Sequence, residues 1–361
     1  MPTANKFLGS PSYWQDLRLA LKSIPNPEAL NNKKIFVTGA TGMLCSPIVD
    51  LFLLLNREHQ AGITIYLAGR DKKTSLDRFQ SFSEEDGLVF VSYDATKSDS
   101  VDYTGHLDYI IHGASNANPA LYMQRPVDTM LANILGLSKM LDLTKASSAK
   151  RLLYVSSSEV YGQKPGSDPF AEGDFGFLDI LHERAGYPSS KRAGESLCVA
   201  YGMQHNIDSV IVRPGHIYGP SIRDSDQRAS AQFTRKAIAG EDVVLKSKGT
   251  QLRSYCYSLD CASAIITVLL EGERAHAYNI SNPNSICTIS DIADQIASAG
   301  NVKLAYEDAT DSSQVVNSLM QNASLDSSKL EQLGWKPAFD LKSGIKSMVQ
   351  ALRESKSSFS L

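Results

Sequence analysis

Tryptophan and cysteine are both scarce in this chain of 361 residues, with two of the former and five of the latter. The cysteines (Cys45, Cys198, Cys256, Cys261 and Cys287) are dispersed, and none forms a Cys-x-x-Cys pair. That pattern leaves no basis for a disulfide framework or a zinc site, so reduced thiols and no metal are expected. Long apolar runs are missing too. The longest, near residues 48–55, is interrupted by Asp50 and is too short to span a bilayer. The first residues lack a basic segment followed by an apolar core, so no signal peptide is expected and the cytoplasm is the expected compartment. Nor is there a charge excess. A net charge of −3 gives no ground for nucleic acid or an anionic membrane as a partner. What remains is an ordinary globular mix, 42% hydrophobic and 21% charged, long enough for one large α/β domain or two smaller ones.

Apolar residues at Trp14, Leu17, Leu21 and Ile24 have helical spacing, and Pro25 and Pro27 end the run. The spacing predicts a helical extension over 1–30 that packs on the body or on a partner subunit. From Asn31 the pattern becomes strand, turn, helix, repeated. Strands are predicted at Lys34–Thr38, Ile63–Ala68, Leu88–Ser92, Tyr109–His112, Leu152–Ser156 and Ser209–Arg213. Helices are predicted at Met43–Arg57, about Val127–Lys145 and about Ser189–His205. Short β-branched strands alternating with helices predict an α/β fold with a parallel sheet covered on both faces, here over 31–213. After Pro214 the alternation fades. Tyr218–Arg228 reads as a loop over a site, Ile289–Ala299 and Ser327–Leu333 as small helices. A smaller C-terminal region over 214–361, with some segments returning to the sheet, is therefore expected to bind substrate beside a cleft.

The first strand runs into Gly39-Ala40-Thr41-Gly42-Met43-Leu44-Cys45. Glycines between a first strand and a first helix let the backbone approach a pyrophosphate, which the helix N-terminus stabilises. Gly39, Thr41, Gly42 and Met43 are thus candidate dinucleotide contacts. Cys45 stands where a third glycine is usual; a small residue can partly replace it. The second strand ends in Ala68-Gly69-Arg70-Asp71 rather than in an acidic residue for the ribose of NAD. Arg70 can accommodate a 2′-phosphate, which favours NADP. Alternatively Arg70 stacks near the adenine and Asp71 or a backbone group takes the ribose. Asp94, after the third strand, is a candidate for the adenine amino group.

Tyr187-Pro188-Ser189-Ser190-Lys191 is Tyr-x-x-x-Lys. On a helix these ends share a face, and the ammonium is expected to lower the phenol's pKa toward that of a general base. The motif alone is weak. With 15 tyrosines about one chance match is expected, and Tyr93–Lys97 is a second match, in the adenine half. Tyr187 follows the fifth strand, whose exit is Ser156-Ser157-Ser158-Glu159-Val160-Tyr161-Gly162. Ligands bind at such carboxyl ends, where Ser157 can relay a substrate proton to Tyr187.

These residues together resemble the NAD-dependent epimerase/dehydratase family of extended short-chain dehydrogenases, over about Lys33 to Leu352. The most specific stretches resemble its UDP-glucuronate decarboxylase branch. They are His112-Gly113-Ala114-Ser115 leading to Tyr122-Met123, then SSSEVYG, Glu183-Arg184, Asp226-Gln227-Arg228 and Gly249–Tyr255. Leu333-Gly334-Trp335-Lys336-Pro337 is a mark of the wider family. The resemblance implies a Rossmann-type fold, a bound and recycled NAD, and Ser157, Tyr187 and Lys191 as the catalytic set. It implies Glu159 as a further catalytic group and Ala114 and Lys191 as cofactor contacts. It also implies Ser115, Tyr122, Ser158, His216, Arg228 and Arg253 around a nucleotide sugar of the UDP class, oxidised at C4.

The related 4,6-dehydratases carry Asp-Glu where this chain has Ser158-Glu159, so decarboxylation leads, 4-epimerisation is the alternative, and 4,6-dehydration or a non-catalytic dinucleotide-binding regulator follows. Three departures sit in the substrate shell. His216 replaces the family's asparagine in Arg213-Pro214-Gly215-His216-Ile217-Tyr218-Gly219-Pro220, no arginine lies between Arg274 and Arg353, and Pro188-Ser189-Ser190 is unusual. The resemblance further implies a homodimer through the two long helices.

Overall fold

Buried β-branched runs become the strands of one sheet, and the segments between them become its covering helices. In the computed structural model, residues 6–80, 82–97, 101–307 and 321–357 are described. The ends of the expected extension and C-terminal region (1–5, 308–320, 358–361) lie outside them. The first part of the chain comprises α1 (Pro11–Leu21), β1 (Lys34–Thr38), α2 (Cys45–His59), β2 (Thr64–Gly69), α3 (Lys72–Arg78), β3 (Leu88–Ser92) and β4 (Tyr109–His112). It continues with α4 (Pro119–Gln124), α5 (Pro126–Ala146), β5 (Arg151–Val155), α6 (Gly186–His205) and β6 (Ser209–Pro214). Then come β7 (His216–Tyr218), α7 (Ala229–Ala239), β8 (Val243–Leu245), β9 (Leu252–Tyr257), α8 (Ser258–Glu271) and β10 (Ala277–Ile280). Last are β11 (Ile286–Thr288), α9 (Ile289–Gly300), β12 (Leu304–Tyr306), β13 (Asn322–Ala323), α10 (Ser328–Glu331) and α11 (Leu341–Ser357).

Seven strands pair in the order β10-β6-β5-β4-β1-β2-β3, every pair parallel. This is the Rossmann-type sheet. The chain leaves β1 toward β3 and then jumps to β4 on the other side of β1. The crevice at that reversal is where such sheets bind ligands. Alternation along β1 divides the core. Ile35 and Val37 face the cluster built with α2 and α8, while Phe36 faces the cluster with Leu137 and Met140 of α5 and Cys198 of α6.

The short strands β7, β9, β11 and β13 form a second sheet, and β8 pairs with β12. With two to six residues each, they show too little alternation to be read from sequence. The helix after the glycine turn starts at Cys45 rather than Met43, because residues 42–44 stay in the turn.

The N-terminal helix packs on the body of its own chain. Ser10 caps it by accepting from Tyr13 N–H, and Tyr13, Leu17, Ala20 and Leu21 are buried. The Tyr13 hydroxyl donates to Asp50 Oδ2 at 2.6 Å, and Arg78 Nη2 donates to the same oxygen at 2.6 Å. This explains the charge inside the apolar run of α2: Asp50 is buried, but paired. Asp16 on the same helix accepts from the hydroxyls of Tyr257 and Ser347, tying α1 to β9 and α11.

Asp16 is 6% exposed, and burial lifts its pKa from 3.8 to about 6. The folded state therefore favours the protonated acid. The stability this contributes is present below the unfolded pKa and is lost as pH rises through the folded one. Asp16→Asn is expected to remove that part of the stability loss between about pH 4 and about pH 6. Urea unfolding across this range checks it; an unchanged pH dependence contradicts the assignment.

Candidate active site at the carboxyl ends of the sheet

At Gly39 the chain turns with φ +68°, and a Cβ there would lie 2.8 Å from the Gly113 carbonyl carbon and 2.9 Å from Ala114 N. Only glycine fits such an approach between the β1 and β4 ends. Thr38 fixes it. Its hydroxyl accepts from Gly113 N–H (3.2 Å) and Ala114 N–H (3.1 Å) and lies 2.8 Å from His112 Nδ1. With both N–H groups donating inward, the hydroxyl proton points to Nδ1. Burial lowers the His112 pKa to about 3, so the ring is neutral.

Cys45 is buried directly against this junction. A Cβ on residue 113 would lie 2.3 Å from its Sγ. Glycine at 113 therefore makes room for cysteine in place of the third glycine. Leu44, the residue before α2, makes no side-chain cap, so the cap position itself leaves the helix end open to an anion. This turn fits a dinucleotide pyrophosphate, with Thr41, Gly42 and Met43 lining it.

Arg70 ends beyond β2, exposed and with no hydrogen-bond partner among the described residues. Asp71 is engaged, since its Oδ1 accepts from Thr74 N–H and caps α3. Asp94 Oδ1 accepts from Thr96 N–H and hydroxyl at 3.0 and 2.8 Å. These residues lie on the β2–β3 side of the reversal. Tyr93, of the second Tyr-x-x-x-Lys match, is buried and donates its hydroxyl to Gly136 O at 3.1 Å.

On the other side, Tyr187 and Lys191 share the first turns of α6. Lys191 Nζ donates to Val155 O at 2.8 Å, 5.8 Å from the centre of the Tyr187 ring. Ser157 lies near enough to Tyr187 to oppose the rise in its phenol pKa, and its Oγ accepts from Glu159 N–H at 3.2 Å. The Tyr122 ring lies flat on Tyr187, centroids 5.0 Å apart and planes 7° from parallel, and Arg184 Nη2 donates to the Tyr122 hydroxyl at 3.1 Å.

The expected lowering of the Tyr187 pKa by Lys191 is not found in the protein alone. Burial, then Glu159, pushes the phenol up; the nearby Ser157 hydroxyl opposes this. Burial pushes Lys191 down to about 7. In so dry a site desolvation outweighs the lysine, whose ammonium points at Val155 O. Burial likewise raises Glu159, with Arg184 opposing.

Around this cluster lie polar atoms that are buried and without a hydrogen bond among the described residues: Ser115 Oγ and His216 Nδ1. β7 pairs with β9 so that His216 sits opposite Tyr255, and their rings meet edge to face. Burial, then Arg253 and Arg228, lowers the His216 pKa to about 3. Arg228 forks onto Asp226 at 3.0 and 2.5 Å, and Arg253 is buried, donating to Leu252 O at 2.7 Å. Ser158 is buried beside Glu159. Two contributors escape sequence reading: the Thr38 hydroxyl, and Arg223, whose Nη2 donates to Thr41 O and Oγ1. Arg223 lies 182 positions from Thr41, and no local pattern links them.

A Rossmann sheet carrying a Ser/Tyr/Lys cluster beside a glycine turn defines a dinucleotide-dependent protein class. The chain belongs to the NAD dependent epimerase/dehydratase family, which matches residues 35–281. It is 29% identical to UDP-glucuronic acid decarboxylase 6 of Arabidopsis thaliana over 342 residues, 92% of this chain and 94% of that protein. UDP-glucuronic acid decarboxylase 1 of Xenopus tropicalis is 26% identical over 326 residues, covering 90% and 73%. The fold is shared with the UDP-glucose 4-epimerase of Thermotoga maritima solved with UDP-glucose (TM-score 0.72, 18% identity, 90% and 99% coverage). It is shared equally with a dTDP-glucose 4,6-dehydratase from Bacillus anthracis solved with NAD (TM-score 0.72, 20% identity, 90% and 98%).

Gly113→Ala is expected to destabilise the fold by about 1–3 kcal/mol through the clash with Cys45 Sγ. Cys45→Ala in the same chain should recover most of that loss in chemical denaturation. If the double variant is no more stable than Gly113→Ala, the two residues are not compensating.

Proposed function

We propose that the protein oxidises C4 of a UDP-linked hexuronate with a bound, recycled NAD and releases CO₂, as a UDP-glucuronate decarboxylase does. The observation that carries this reading is Ser158-Glu159 at the β5 exit, beside Tyr187 and in place of the Asp-Glu pair of the dehydratase branch. The similarity to decarboxylases along nine-tenths of the chain supports it. NAD, when bound, supplies the acceptor and later the donor of the C4 hydride. The turn at Gly39–Met43 would hold its pyrophosphate. Arg70 and Asp94 would lie toward its adenosine, Ala114 and Lys191 toward its nicotinamide half.

Ser157 orients the sugar 4-hydroxyl, and Tyr187, once its own proton has left as the phenolate, takes the sugar's. The positive charges of Lys191 and of a bound nicotinamide would supply the stabilisation that burial withholds from that phenolate in the chain alone. The 4-keto sugar places the C6 carboxylate β to a ketone, which makes loss of CO₂ easy. Glu159, whose burial favours the neutral acid, moves the proton that C5 then needs. Ser115 and Tyr122 bound the sugar. Arg228, Arg253 and His216 hold the diphosphate. A neutral imidazole offers one donor and one acceptor, as an asparagine amide does, so His216 can serve at that position. A second reading, C4 epimerisation, draws support from that same replacement, because it alters the substrate shell and leaves the Ser/Tyr/Lys set intact. The exposed apolar residues Val127 and Leu135 of α5 and Met203 of α6 support a homodimer through these helices. Free cysteines throughout fit a cytoplasmic location.

Incubation with UDP-glucuronate, followed by mass spectrometry and NMR, is expected to show CO₂ and a UDP-pentose. A mass-neutral conversion selects the epimerase reading. Tyr187→Phe is expected to lower turnover by about 10²–10⁴ with the fold intact.

A further inference from the structure

The loop between β7 and α7, residues 219–228, reaches both sides of the site. Its Arg223 Nη2 donates to the carbonyl and the hydroxyl of Thr41, each at 2.9 Å, directly on the glycine turn. Its Asp226–Arg228 pair lies beside His216. The loop backbone is held from two directions. Arg235 of α7 donates to the carbonyls of Arg223 (3.1 Å) and Asp226 (2.6 Å), and Asn118, the cap of α4, donates to Ser225 O at 3.1 Å. With three of its carbonyls fixed, the loop is a strap rather than a free lid.

Arg223 does not stand alone. Ala68 at the end of β2 pairs with Thr38 at the end of β1, so Arg70, two residues beyond Ala68, leaves the sheet beside the glycine turn that Arg223 holds. Desolvation, and then the charge of Arg70, lower the Arg223 pKa. Asp94 lies within electrostatic reach of Arg70, but its carboxylate already accepts from Thr96. Asp226, which lies within electrostatic reach of Arg223, is bound in a fork by Arg228. Among the described residues the Arg223 side chain makes hydrogen bonds only to Thr41, and Arg70 makes none. Two cations brought together at a glycine turn, with Asp94 and Asp226 already engaged, form a place for an anion with several oxygens.

We infer that Arg223, latched to Thr41, and Arg70 together clamp a phosphate group of the bound dinucleotide, and that the strap thereby ties cofactor retention to the nucleotide-sugar site. This rests on the reading above only in that a dinucleotide occupies the glycine turn. The phosphate is the pyrophosphate, common to NAD and NADP, or the 2′-phosphate of NADP. A clamp of this kind suits a recycled cofactor, because a reduced dinucleotide that leaves before the hydride returns would strand a 4-keto sugar.

The test uses the full chain freed of dinucleotide. Affinities and dissociation rates for NAD and NADP are measured by calorimetry and stopped-flow fluorescence, with UDP binding and thermal unfolding as controls. Arg223→Ala and Arg70→Ala are each expected to weaken dinucleotide binding about tenfold. Arg223→Lys, which keeps the charge and fold but lacks the fork, should lose less. Equal loss for NAD and NADP assigns the pyrophosphate; loss for NADP alone assigns the 2′-phosphate. Unchanged affinity for both dinucleotides in either alanine variant, with the fold intact, overturns the clamp. If Arg223→Ala does not fold, unchanged affinity in Arg223→Lys and Arg70→Ala does the same. A chain that binds dinucleotide through Arg223 yet leaves UDP-glucuronate unconverted contradicts the decarboxylase reading and leaves the clamp standing.

Discussion

The close approach of the Gly113–Ala114 backbone to Gly39 is the constraint on which the rest of the site depends. It joins the carboxyl ends of β1 and β4 where the strand order reverses, and it permits no side chain at residue 39. The Thr38 hydroxyl satisfies two backbone donors there and turns its own proton to His112, so the contact is held by directed bonds as well as by packing. Cys45 fills what remains, and its burial pushes the thiol pKa up to about 12, well away from reactivity. Everything that lines the pocket is placed relative to this junction.

Dryness is the second organising condition. Desolvation heads the causes of the shifts at Tyr187, Lys191, Glu159 and His216, and in each case it favours the neutral form. The lasting charges around the pocket are therefore guanidinium groups, at Arg184, Arg228 and Arg253. A site of neutral acids and bases ringed by fixed cations suits an anionic ligand and proton movement within it. In a dry surrounding each oriented hydrogen bond counts for more than it would in water.

Helix α1 contributes to this rigidity at a distance. Tyr13 and Arg78 meet on Asp50 in the middle of α2, the helix whose first turn faces the glycine loop. Ser10 and Ser12 donate to Glu354 on α11, closing the same layer from the other end. A polar network buried in this way specifies how α1, α2 and α11 sit, because a shift would strand an unpaired charge.

Much of this was legible along the chain because it is local. The period of the buried strands, the glycines after β1, the one-turn spacing of Tyr187 and Lys191, and the serine-rich exit of β5 each depend on residues close in sequence. Local patterns also carried the family resemblance, which the comparisons bear out. What the chain alone could not decide involves partners far apart in it. That cysteine fits at 45 depends on glycine at 113. Tyr122 stacks on Tyr187 only once α4 meets the start of α6. Arg223 reaches Thr41 across 182 positions. The sign of the Tyr187 shift lay outside the motif as well. Tyr-x-x-x-Lys sets which groups meet, but how much water surrounds them is a property of the folded site, and desolvation there outweighed the nearby charge.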